Sequence, residues 1–111
     1  MATVLIDAEN VRRSLWPNLA REELATLAKA WGEENRHNAI VVWEAAETAD
    51  DWIARSVTEL EPPVWVVTSD RELRRRVEPF VDRVVGGGSF ARELQRLRPA
   101  APGLHDLDTD G

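Results

Sequence analysis

Thr3-Val-Leu-Ile-Asp-Ala-Glu-Asn10 decides how the rest of the chain is read. Thr3 to Ile6 favour extended backbone. The apolar run ends on a carboxylate, Asp7, and Asn10 follows three residues later with no helix signal between them. A buried strand that ends in an acid delivers a charge to the rim of a sheet, where open α/β folds hold their ligands. The next helical period starts ten or more residues on, so Asp7 has no evident capping duty.

Outward from this strand, apolar patterns alternate between two kinds. Val11 to Asn18 reads as a loop, closed by Pro17 and Asn18. A helix is expected from about Leu19 to Glu34, with Leu24, Leu27, Ala28 and Trp31 on one face. Ala39 to Glu44 is a second strand without polar alternation, as expected for a strand covered on both faces. Thr48 opens a helix that reaches about Leu60 with Ile53, Val57 and Leu60 inward, and Pro62-Pro63 stops it. Val64 to Thr68 is strand three. Ser69-Asp-Arg-Glu72 opens a helix that reaches about Val77. Asp82 to Val85 is a short fourth strand, and Gly86-Gly-Gly-Ser89 turns into a last helix, Phe90 to Leu97. From Pro99 onward Pro, Gly, Ala and Asp occur without period, which reads as a disordered acidic tail, 99–111, behind one domain, 1–98.

Strict alternation of strand and helix implies an α/β fold: three layers, with a small parallel sheet of about four strands flanked by helices. The simplest order puts strand one in the middle, strand two on one side, and strands three and four on the other. Asp7 and Asp70 then converge at the switch point between strands one and three.

Each acid has a plainer explanation to set beside a functional one. Ser69-Asp-Arg-Glu72 fits a capping box with Ser69 as the cap, which accounts for Glu72, as does pairing with Arg76. Asp70 shares the first-turn advantage, but its position at the rim favours a site. Thr48-Ala-Asp-Asp51 is a second capping box, with Asp51 in the reciprocal role, which leaves Asp50 free as a ligand. Glu44 ends strand two either as a ligand or as a solvated terminus. Carboxylates gathered at one rim repel each other unless cations neutralise them. All-oxygen ligation suits Mg2+ or Mn2+, and such an ion can activate water against a phosphodiester. His37 lies in the turn before strand two, at the opposite rim, and His105 lies in the tail.

The 111 residues carry a formal net charge of −6, part of it from Asp106, Asp108 and Asp110 in the tail. Bulk positive charge therefore cannot hold a nucleic acid, and local arginines must. Arg12 and Arg13 follow the first strand, and Arg71, Arg74, Arg75 and Arg76 follow Asp70. Any one of these is more commonly just solvated. Trp52 lies off its helix's inner stripe and offers a stacking surface for a base, Trp16 offers a weaker one, and Trp31, Trp43 and Trp65 read as core. Absence of cysteine excludes disulfides, thiolate metal sites and a cysteine nucleophile. Lys29 is the only candidate for a catalytic lysine. No segment reads as a membrane span or signal peptide, and a cytoplasmic location is the expectation.

Leu5-Ile-Asp-Ala-Glu-Asn10, Val41-Val-Trp-Glu-Ala45, Glu47-Thr-Ala-Asp-Asp-Trp-Ile53 and Trp65-Val-Val-Thr-Ser-Asp-Arg-Glu-Leu73 resemble, in order, the NYN/YacP-like branch of the PIN-like nuclease superfamily. The resemblance implies divalent-metal-dependent cleavage of RNA by an endoribonuclease. It places metal-binding acids at Asp7, Glu44, Asp50 and Asp70, adds Glu72 to that set, and puts Asn10 within the motif. RNA is the implied partner; a ribosome association and a homodimer stay open. Ala8 stands where the family usually has glycine, Glu9 replaces an aromatic residue, and the link between strand two and Thr48 is short.

Two other readings compete. One is an RNA- or ribosome-binding module with a decayed site, favoured by the short link and the acidic balance. The other is a haloacid-dehalogenase-like phosphatase, which needs an Asp where Glu9 stands and a later acidic pair where strand four instead runs into glycines.

Overall fold

The computed structural model describes residues 1–98. Four strands form one parallel sheet: β1 (Thr3–Asp7), β2 (Asn38–Val42), β3 (Val64–Val67) and β4 (Arg83–Val85). Their order is β2-β1-β3-β4, as the alternation implies. Five helices cover it: α1 (Ala8–Arg12), α2 (Arg21–Asn35), α3 (Ala49–Ser56), α4 (Arg71–Val77) and α5 (Gly87–Arg96), with a 3-10 turn at Glu78–Phe80. The expected tail, 99–111, lies outside the described residues.

Side chains of β1 alternate between two cores, which makes three layers. Val4 and Ile6 face Leu24, Leu27, Ala28 and Trp31 of α2 and Phe90, Ala91 and Leu94 of α5. Leu5 faces Ile53 of α3 and Leu73 and Val77 of α4, together with Val64 and Val66. Every apolar side chain of β1 from Val4 to Ile6 is fully buried, as befits a central strand. Among the described residues no helix is long and apolar enough to cross a membrane.

The structure corrects several boundaries. α1 begins directly after Asp7, inside the stretch read as motif and loop, and α2 starts at Arg21 rather than Leu19. β2 is an edge strand, half-exposed along most of its length with only Val42 buried, so its apolar run does not signal cover on both faces. α3 ends at Ser56, four residues before the expected Leu60. α5 starts at Gly87, three residues before Phe90. Trp31 belongs to the core as expected, whereas Trp43 and Trp65 are half-buried and each carries an arginine, Arg21 and Arg83, over its ring.

The turn from α2 to β2 depends on close approach. Arg36 adopts the left-handed conformation, φ 59°, and the His37 N–H donates to the Gly32 carbonyl at 2.8 Å. A Cβ on Gly32 would sit 2.9 Å from the His37 carbonyl oxygen. His37 therefore lies at the amino-terminal rim, where its Nδ1 accepts the Ala2 N–H at 3.0 Å.

Candidate functional site

All four parallel strands end at the same rim, and the acids at their ends surround one open cleft of about 480 Å³. Asp7, Asn10, Glu44, Asp50 and Asp70 line it, together with Glu9, Arg13 and Ser14. The structure thus brings together six residues that the sequence singled out: Asp7, Asn10, Arg13, Glu44, Asp50 and Asp70.

Asp7 is the deepest of these, 5% exposed. It occupies the residue before α1, yet its side chain makes no capping bond. Its Oδ2 instead accepts the hydroxyl proton of the fully buried Thr68 at 2.9 Å. Thr68 Oγ1 in turn accepts the Asp70 N–H at 3.1 Å. One hydroxyl therefore spaces the ends of β1 and β3. No buried side-chain polar atom among the described residues lacks a partner, and Asp7 lines the cleft.

The Asp7 carboxyl is raised from 3.8 to about 6. Burial away from water is the main cause, opposed by the Thr68 hydrogen bond and reinforced by the charges of Asp50, Asp70 and Glu44. Asp50 is also raised, first by burial and then by Asp70 and Glu44. These couplings are the electrostatic signature of acids that share a site.

Asp70 is the actual cap of α4, with Oδ1 accepting the Leu73 N–H at 3.0 Å. This corrects the capping box assigned to Ser69. Ser69 instead bridges loops: its N–H donates to Asn10 Oδ1 at 2.9 Å, and its Oγ accepts the Gly87 N–H at 2.7 Å. A Cβ on Gly87 would fall 2.2 Å from Asn10 Oδ1, so only glycine allows the start of α5 to reach Asn10 and Ser69. Asn10 and Ser69 thereby tie together the loops after β1, β3 and β4. The cap at Thr48 is as expected, accepting the Asp51 N–H at 3.1 Å. The Asp51 carboxylate, however, pairs with Arg76 of α4 at 3.0 Å.

Other candidates lie elsewhere. Glu72 is exposed outside the cleft and pairs with Arg75, not Arg76, at 2.6 Å. Arg71 and Arg74 are exposed and do not line the cleft. Arg12 is turned inward, donating to the Leu19 carbonyl at 2.8 Å. Trp52 is half-buried beside a separate apolar cleft along β2, and Trp16 is fully in solvent. Sequence reasoning missed Ser14, Ser69, Gly87 and Arg21. The run Gly86-Gly-Gly88 was the available signal for Gly87, since a glycine at a helix start invites the question of what approaches it.

A parallel sheet of order 2-1-3-4 with acids on its carboxyl rim is the architecture of a PIN-like α/β domain. A family model, the YacP-like NYN domain, matches residues 28–101, about two thirds of the 111-residue chain. The chain belongs to that family. β1 and Asp7 precede the matched stretch, while Glu44, Asp50 and Asp70 fall within it. Membership puts the chain among nuclease-like domains, with RNA as the substrate class that the family suggests. No curated protein and no solved structure gives a significant match.

The carboxylates of the cleft suit a hard divalent cation, and they share its wall with the Asn10 amide, the Ser14 hydroxyl and the Arg13 guanidinium. Among the described residues no three acids close to the separation that would already hold an ion. They surround the cleft at longer range, and the carboxyls of Asp7 and Asp50 are raised first by burial and further by neighbouring acids.

Proposed function

We propose that this chain is a divalent-metal-dependent endoribonuclease that hydrolyses RNA phosphodiester bonds at the rim cleft. One observation carries the reading: a buried carboxylate, Asp7, ends the central strand in the cleft that Asp50, Asp70 and Glu44 also line. The charges of these acids raise the Asp7 carboxyl further, a cost to the fold that a bound cation would offset.

Asp7, Asp50, Asp70 and Glu44 would hold Mg2+ or Mn2+, with Glu72 outside the set. When bound, the ion supplies Lewis acidity and charge neutralisation toward a phosphodiester. The chain's own residues supply position. Thr68 fixes Asp7 and the backbone of Asp70 through one hydroxyl. Asn10, locked by the Ser69 N–H, keeps its amide group at the cleft wall. Arg13 places a guanidinium on the same wall, where it faces the substrate's phosphates. The openness of the cleft toward solvent suits a polymer rather than a small enclosed substrate.

The test is cleavage of a labelled single-stranded RNA with Mn2+ or Mg2+, against EDTA, by the wild type and by Asp7→Asn and Asp50→Asn. Metal-dependent cleavage that falls at least about 100-fold in both variants is expected. Cleavage that survives EDTA, or equal cleavage by the variants, defeats the proposal. Wild-type RNA binding without any cleavage would instead support a binding module. That second reading is favoured by the short link between β2 and Thr48 and by the acidic balance of the chain.

A further inference from the structure

Glu9 stands out because three arginines converge on it. Arg12, Arg13 and Arg21 approach its carboxylate at 3.4, 3.3 and 3.6 Å. The Glu9 side chain is largely covered, 18% exposed, while those of Arg13 and Arg21 are 68% and 70% exposed. Each guanidinium carries five N–H donors, and one carboxylate offers about four lone-pair sites. Arg12 spends part of its fork on the Leu19 carbonyl and faces inward. The surplus donors of Arg13 and Arg21 are left pointing to water beside the acid cleft, to which both Glu9 and Arg13 belong.

Arg21 is oddly placed if its role is only structural. It is the first residue of α2, where the helix dipole disfavours a cation. Its ion pair is the longest of the three, and its guanidinium lies 5.2 Å from the centre of the Trp43 ring. Trp43 immediately precedes Glu44 at the end of β2. Arg21 is thus held between α1 and the residue that follows β2, and the Glu9 and Trp43 contacts restrict its side chain before any ligand arrives. The arginines of α4 differ in place: none of them lines the acid cleft, and Arg75 and Arg76 are engaged by Glu72 and Asp51.

From this geometry we infer that Arg13 and Arg21, organised by Glu9, form a phosphate-binding subsite for single-stranded RNA on the β2 side of the acid cleft. The inference deepens the nuclease reading by naming the path of the substrate backbone, and rests on it for the identity of the polymer. Arg12 is a positioning residue here, and Trp43 anchors Arg21.

The test measures binding of uncut single-stranded RNA in EDTA as a function of salt, so it does not depend on catalysis. Each phosphate contact to a single strand contributes about 0.7 to the slope of log K against log salt. Arg13→Ala with Arg21→Ala should therefore lower the slope by about 1.4. Between about 50 and 200 mM salt the wild type should lose roughly sevenfold more affinity than this double variant. Arg13→Lys with Arg21→Lys should keep the wild-type slope, and circular dichroism should show all variants folded. Arg74→Ala with Arg75→Ala should leave the slope unchanged. A double-alanine variant with the wild-type slope, or a slope lost instead in the α4 variant, would overturn the subsite. Absent cleavage with the expected slope change would refute the nuclease reading alone, and cleavage with an unchanged slope would refute the subsite alone.

Discussion

Asp7→Asn should make the metal-free protein more stable at neutral pH. The Asp7 carboxyl titrates at about 6 in the folded chain instead of 3.8, so the native state binds this proton more tightly than the unfolded state does. A raised acid favours the native state at low pH, and that advantage is lost as pH rises between about 4 and 6. Above about pH 6 the penalty is constant. At about 1.4 kcal/mol per pH unit, ionised Asp7 costs the fold about 3 kcal/mol. Exposure of only 5% means that solvent screening takes little from this figure. Asparagine keeps the shape and accepts the Thr68 hydroxyl as a neutral group, as the protonated acid does. The net gain is about 3 kcal/mol near pH 7.5 and falls to about 1 kcal/mol near pH 4.5. Urea denaturation followed by tryptophan fluorescence, in EDTA at both pH values, reads it directly. Added Mn2+ should close the gap by stabilising the wild type, by about 2.7 kcal/mol at one hundred times its Kd, and should leave the variant unmoved. An Asp7→Asn protein no more stable than wild type at pH 7.5, or equally shifted at both pH values, would refute the electrostatic account.

Thr68→Val keeps the side-chain volume but removes the donor to Asp7 and the acceptor for the Asp70 N–H. A loss of about 1–3 kcal/mol is expected at pH 7.5 and a smaller one near pH 4.5, where Asp7 carries a proton; equal losses at the two pH values would count against the role given to this hydroxyl. Gly87→Ala drives a Cβ to 2.2 Å from Asn10 Oδ1. The denaturation midpoint should fall by the equivalent of about 1–3 kcal/mol, and an unchanged midpoint would contradict the close approach of α5 to Asn10.

The topology was legible because each local signal agreed with it: four short apolar runs, three intervening helical stripes, and turns rich in Pro and Gly. What was not legible was decided by contacts between loops. Thr68-Ser-Asp-Arg-Glu72 admits two overlapping caps, and in the fold Asp70 takes the Leu73 N–H while the Ser69 hydroxyl is occupied by the Gly87 N–H. α1 was invisible for a related reason. Asp7 precedes it without offering its carboxylate to the helix, so Ala8-Glu-Asn-Val-Arg12 carries no cap signature. Arg21 looked like an ordinary solvated residue because its partners, Glu9 and Trp43, lie twelve and twenty-two positions away.

Helix capping was therefore the wrong filter for finding the site acids. It assumes that a carboxylate serves either a helix or a ligand. Asp70 has two oxygens, and one accepts the Leu73 N–H while the carboxylate still borders the cleft. Asp7 stands at a helix start and withholds its side chain from it. Glu72, the residue that capping was invoked to explain, caps nothing and pairs with Arg75 on the surface. The feature that separates Asp7, Asp50 and Asp70 from Asp51 and Glu72 is their place relative to the rim. Asp51 and Glu72 point to arginines in solvent, where an ion pair is readily screened. The rim acids raise one another through their charges, an effect that the Thr68 hydroxyl opposes at Asp7 and Arg76 opposes at Asp50. At neutral pH the proton has largely left Asp7, and the divalent ion of the proposed function would offset the charge that the strand order gathers at this rim.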